Sequence, residues 1–168
     1  EQQTLQDIRN LIFRARKSGD KQMFRNLKKE LERRREQNPE DASIHEMLGM
    51  LYFEMTMYDQ DRGTVTQSAG RAEKMYRKAI ELDPKNKDAY LGLARVYESA
   101  NEFERAVEID DKVLELFPGE TKAIVHKGRC LLYLDRYGEA EKLLRGVVDD
   151  APKSGHSIEA TTARELLG

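Results

Sequence analysis

The chain has 168 residues, 36% charged and 39% hydrophobic, with net charge −2, pI near 6.0 and mean hydropathy −0.77. No apolar run approaches the roughly 20 residues of a membrane span, and no global basic field draws the chain to nucleic acid. Charge is unevenly placed, with 11 Lys/Arg against 7 Asp/Glu in residues 1–40 and 18 against 24 in the remainder, a pattern of solvated helix faces.

Residues 4–17 place Leu5, Ile8, Leu11, Ile12 and Ala15 at helical spacing. Gly19 suits a left-handed helix end and Asp20 the next N-cap. A second helix over 21–37 shows Met23, Phe24, Leu27 and Leu31 on one face and closes with Arg33, Arg34 and Arg35 before Pro39. Residues 41–58 carry Leu48-Gly49 and Tyr52 at the spacing of a first repeat helix. Residues 59–70 are rich in turn formers and read as an insertion, either a functional surface loop or an ornament that folds into longer helices. Asp59, Asp61 and Gly63 do not make a calcium loop, because the glycine comes one place early and the twelfth position is Gly70.

From residue 71 a register of 34 residues governs the chain. Ala72, Ala106 and Ala140 keep this step, as do Pro84, Pro118 and Pro152, Tyr90 and Ile124, and Phe103 and Tyr137. A fixed period of this length marks a stacked helical repeat whose units cannot bury their apolar faces alone. The distance from Tyr52 to Ala72 exceeds that from Tyr97 to Ala106 by 11 residues, which sizes the insertion. Asp110 departs from the pattern by standing where an aromatic is expected, with Ile109 beside it to take over the packing. Residues 157–167 place Ile158, Ala163, Leu166 and Leu167 on one face, as a terminal capping helix requires.

These positions make the chain resemble the tetratricopeptide repeat (TPR) family. The resemblance implies an all-α, right-handed superhelix with three recognisable repeats over 41–86, 87–120 and 121–154. The first carries the insertion at 59–70, a degenerate hairpin over 1–40 precedes it, and a capping helix over 155–168 closes the array. It further implies a non-enzymatic adaptor or scaffold that binds a peptide or protein segment in a concave groove. That mapping assigns the groove to Met47, Met50, Phe53, Leu91, Arg95, Lys122, Val125, His126, Arg129 and Tyr133. Arg95 and Arg129 are expected as fixed positive forks in that groove, so the expected ligand carries apolar anchors and an acidic group. Self-association as an assembly unit, or service in a bacterial secretion or assembly system, are the alternatives.

Catalytic, cofactor and metal sites are not expected. His45, His126 and His156 show no second ligand at metal-binding spacing, and phosphate-binding glycine loops and hydrolase elbows are missing. Cys130 is the sole cysteine, so no intrachain disulfide forms; the lone thiol favours a cytoplasmic over a periplasmic setting. The chain starts at Glu1, which reads as a trimmed or mature form and leaves the compartment open.

Some TPR domains clamp the acidic tails of Hsp70 and Hsp90 with lysine, asparagine and arginine from three first helices. The matching positions here hold Glu46 and Met50, then Gly92, then Lys122 and His126, and only Lys122 fits. Glu46 sets a negative charge where the tail carboxylates would sit, which suppresses such a partner. Titration of a fluorescent peptide ending in EEVD is expected to show no low-micromolar binding; tight binding abolished by Lys122→Ala would contradict this mapping.

Overall fold

The computed structural model describes residues 3–57, 62–150 and 157–168; Asp59, Asp61, Pro152 and His156 lie outside them. The described residues form helices α1 (Leu5–Ser18), α2 (Lys21–Gln37), α3 (Ala42–Thr56), α4 (Arg62–Leu82), α5 (Lys87–Ser99), α6 (Phe103–Leu116), α7 (Thr121–Tyr133), α8 (Tyr137–Asp150) and α9 (Ile158–Leu167), with no strand among them. Two compact units divide the chain, residues 1–96 and residues 97–168.

Local chemistry sets the helix ends. Thr4 and Asp7 form a reciprocal capping box on α1, satisfying two orphan amides, and Gly19 closes that helix at φ 66°. The Asp20 carboxylate accepts from the Met23 amide at 2.9 Å and starts α2. Asp41 and Ser157 likewise cap α3 and α9. The turns after α5 and α7 are built alike, on Asn101 (φ 60°) and Asp135 (φ 57°), one repeat apart. In each, the amide following that residue reaches back five positions, Glu102 to the Tyr97 carbonyl and Arg136 to the Leu131 carbonyl, both at 2.9 Å. Asn and Asp tolerate the left-handed region better than other non-glycine residues, which is why these two types stand there.

Over most of its length the insertion lengthens a helix and is not a loop. Residues 62–70 are the opening turns of α4, which runs for 21 residues against 14 in α6 and α8. Val65, Ser68, Ala69 and Ala72 keep the i, i+3, i+4, i+7 spacing of one helix face, and Ser68 and Ala72 are buried. Turn-forming composition gave way to that stripe, because helix packing outweighs the modest propensity cost of Gly, Ser and Thr.

In unit 1, α3 is buried at every position from Ile44 to Glu54. Its Gly49 and the Gly92 of α5 flank the ring of Tyr76 from α4; a Cβ at either would lie 2.7 or 2.3 Å from that ring. Gly92 is therefore a packing glycine and not a groove residue. In unit 2, Gly128 of α7 meets Leu144 of α8 in the same way, at 2.7 Å. Leu144 joins Val125, Val147, Ala160 and Ala163 in a core that seats α9 on α7 and α8. By contrast, Gly146 has open space where a Cβ would stand.

The two kinds of glycine respond oppositely to a methyl group. Gly92→Ala gains about 1 kcal/mol of helix propensity but overpacks a fixed aromatic ring at about 1–3 kcal/mol, so it is expected to lower stability. Gly146→Ala is expected to raise stability by up to about 1 kcal/mol. Urea unfolding of the two variants checks both signs.

Candidate functional site

Unit 1 gathers charge around two buried carboxylates of α3. Glu46 and Glu54 are 5% and 1% exposed, yet each faces arginines from the flanking helices. Arg9 of α1 spans two acids, donating to Glu46 Oε2 at 2.8 Å and to Asp88 Oδ2 of α5 at 2.9 Å. Arg16 of α1 approaches Glu54 at 3.4 Å, and Arg95 of α5 stands 3.8 Å from the same carboxylate. The Arg95 guanidinium lies over the Phe53 ring, 4.7 Å from its centre, where the ring quadrupole favours a cation. Burial pushes the Glu46 carboxyl up to about 7; Arg9 opposes this, and the negative charge of Asp88 adds to it. The short contact with Arg9 does not win, because that one guanidinium is divided between two acids.

Unit 2 holds a buried polar chain in a helical stack. Asp110 of α6 is fully buried, and its Oδ2 lies 2.6 Å from His126 Nδ1 on α7. His126 Nε2 lies 3.1 Å from Glu98 Oε2. Arg129 holds Glu98 in a fork, from Nε at 2.5 Å and from a terminal nitrogen at 3.0 Å. Cys130 Sγ lies 3.9 Å from His126 Nδ1. Burial opposes charging of His126, but its bonds to Asp110, Cys130 and Glu98 prevail and push it up to about 11. Glu98 moves the other way, to about 2: burial would raise it, but the bonds from His126 and Arg129 outweigh that. Burial pushes Asp110 up, against the pull of His126, and the proton between the pair resides on the imidazole because Glu98 accepts from its far side.

Known proteins place this architecture. A family model described as anaphase-promoting complex, cyclosome, subunit 3 matches residues 66–147, just under half of the chain. A thermophilic TPR protein of Thermus thermophilus is similar over 96% of this chain and 82% of its own, at 17% identity and TM-score 0.77. YrrB, described as a TPR protein with an unusual peptide-binding site, is similar over 86% and 68%, at 19% identity and TM-score 0.67. The TPR domain of Arabidopsis OM64 is similar over 73% and 96%, at 20% identity and TM-score 0.53. The chain folds as a tetratricopeptide-repeat protein.

Within this TPR fold the residues expected to line a groove part company. Met47, Met50 and Phe53 are buried in unit 1, where Leu91 is half-buried and Arg95 exposed. In unit 2, Lys122 is exposed, and Tyr133 is 61% exposed, stacked on Phe103 with ring centres 4.6 Å apart. Val125 belongs to the core under α9 and is not a surface residue. His126 is buried in the ion chain, and Arg129 is no open fork, since Glu98 occupies two of its nitrogens. The reason is common to these corrections: a TPR mapping says which way a Cα faces, not which neighbouring side chain has already claimed it. Glu98, Asp110 and Cys130 were missed as partners of His126. The usable signals were Cys130 four residues after His126 on one helix and a charged residue at the aromatic position.

Stability should respond to the Glu46 carboxyl. Its folded value, about 7, lies above the ordinary 4.5, so its contribution is present below about pH 4.5 and lost as pH rises through about 7. Over that interval the parent chain is expected to lose up to about 3 kcal/mol more than Glu46→Gln. Urea unfolding of both proteins at a series of pH values reads the difference; parallel curves would contradict it.

Proposed function

We propose that the chain is a non-enzymatic binding module that holds a segment of a partner protein against the exposed side of α5 in unit 1, docking an acidic group at Arg95. The observation that carries this reading is the state of Arg95. Its side chain is 46% exposed, it rests on Phe53, and its approach to Glu54 at 3.8 Å is longer than a hydrogen bond. A guanidinium braced on an aromatic face has little rotamer freedom left to lose, so its donors are prepared for a carboxylate. Leu91, one helical turn earlier on α5 and half-buried, supplies apolar contact beside it. Acid plus apolar anchor is the ligand chemistry this surface matches, and the peptide-binding site in the description of YrrB supports the class.

Self-association is a second reading, favoured by Ile158, which is 79% exposed on the terminal helix α9. Light scattering distinguishes it, since Ile158→Lys would abolish any dimer.

Fluorescence titration of peptides selected from an array tests the first reading. The best binders are expected to combine an Asp, Glu or C-terminal carboxylate with apolar side chains, and Arg95→Ala is expected to weaken them about tenfold or more. The unfolding midpoint should barely change, because Arg95 is half exposed. Selection of basic peptides, or equal affinity in Arg95→Ala, would overturn the assignment.

A further inference from the structure

The geometry points to a binding site for one divalent transition-metal ion of the zinc or cobalt class in unit 2, ligated by Glu98, His126 and Cys130 and oriented by Asp110. The ligand atoms of these three residues lie within 4.8 Å of one another. Two of them are set by the helix itself, since His126 and Cys130 are four residues apart on α7 and share a face. Glu98 comes from α5 and is pinned by the Arg129 fork, which leaves it little freedom to swing away. Tetrahedral bonds of about 2.0–2.3 Å put ligand atoms roughly 3.3–3.8 Å apart. Glu98 already stands 3.1 Å from Nε2, whereas Cys130 Sγ lies 3.9 Å from Nδ1 and must turn toward Nε2 for the site to close.

Asp110 supplies the second part of the argument. Its carboxylate accepts the Nδ1–H of His126 at 2.6 Å, so Nε2, 3.1 Å from Glu98 Oε2, is the nitrogen a metal would take in exchange for its proton. A carboxylate behind the imidazole is the arrangement that fixes the tautomer of a metal-bound histidine. Asp110 is fully buried and its Oδ1 has no partner, an unfavourable placement that repeat stacking does not require. One repeat earlier the same two positions hold Tyr76 and Gly92, and one repeat later Leu144 and Ala160, neither of them a charged pair. The fold therefore packs without charged groups at these two steps, whereas Asp110 and His126 bring an acid and a base to theirs.

Charge and ligand type favour the same ion. As described, an imidazolium and Arg129 balance Glu98 and Asp110. A divalent ion would replace the Nε2 proton and the Cys130 thiol proton, and the buried group would still sum to zero. Sulfur, nitrogen and oxygen donors together select zinc-like ions and disfavour calcium and magnesium, which prefer all-oxygen sites.

Cobalt(II) titrated into the whole chain, reduced with a non-chelating phosphine, tests the site. Cys130 is the only cysteine, so a thiolate-to-cobalt charge-transfer band can arise from this place alone. The expected result is that band, saturating at about one ion per chain and erased by added zinc. Cys130→Ser should abolish it, His126→Gln should weaken cobalt binding at least tenfold, and Asp110→Asn should weaken it about 10–100-fold while keeping the band. Circular dichroism confirms that each variant is folded before titration. The parent chain alone is decisive: cobalt bound without a thiolate band, or at half an ion per chain through a bridged dimer, overturns the site. A band indifferent to His126→Gln overturns it as well.

Discussion

Everything in this chain depends on what fills the space between the second helix of one repeat and the first helix of the next. At that step Tyr76 of α4 lies against Gly92 of α5. The equivalent pair in unit 2 is Asp110 of α6 with His126 of α7, joined at 2.6 Å, and the next is Leu144 with Ala160 inside one core cluster. The three pairs fall in register, so the same gap is closed by a large side chain over a small one, or by two of middling size. Close packing leaves no other choice, because a void forfeits dispersion contacts and an added methylene strains the backbone. Gly49 and Gly128 repeat the logic on the other side, receiving the Tyr76 ring and the Leu144 side chain.

The polar pair shows what such a substitution entails. A carboxylate taken out of water requires a partner at hydrogen-bond distance, and Asp110 has one on His126. The imidazole, now charged, calls in Glu98, and Glu98 calls in Arg129. One departure from the repeat pattern thus propagates through four residues. Glu46 in unit 1 meets the opposite fate, since it has half of one arginine where Glu98 has a histidine and a whole arginine fork. Two carboxylates on TPR first helices therefore stand on opposite sides of their ordinary range, one near 7 and one near 2. Partner count decides the direction.

The same competition explains why fewer charged side chains stand unpaired than helix geometry alone suggests. Arg129 of α7 is half-buried, with two of its nitrogens held by Glu98. Arg95 meets Glu54 only at 3.8 Å, because Arg16 approaches that carboxylate from α1 as well. Tyr133 keeps its exposure while stacking on Phe103, so it offers an aromatic face that is already ordered.

By itself the sequence determined the helices, their 34-residue register, the caps at Gly19 and Asp20 and the small residues that let helices touch. These follow from periodicity and backbone stereochemistry, which act over a few residues and leave their mark in the order of residue types. The left-handed turns at Asn101 and Asp135 were legible in principle, since both types favour that region and stand one repeat apart. Only the tertiary structure decided that residues 62–70 continue α4, that Val125 is core, that Gly92 receives a ring and that Glu98, Asp110, His126 and Cys130 meet. Each of these rests on the distance between side chains from different helices. Coulomb and hydrogen-bond energies change by several kcal/mol across a few ångströms of that distance, and a repeat pattern records position only to the nearest helix face.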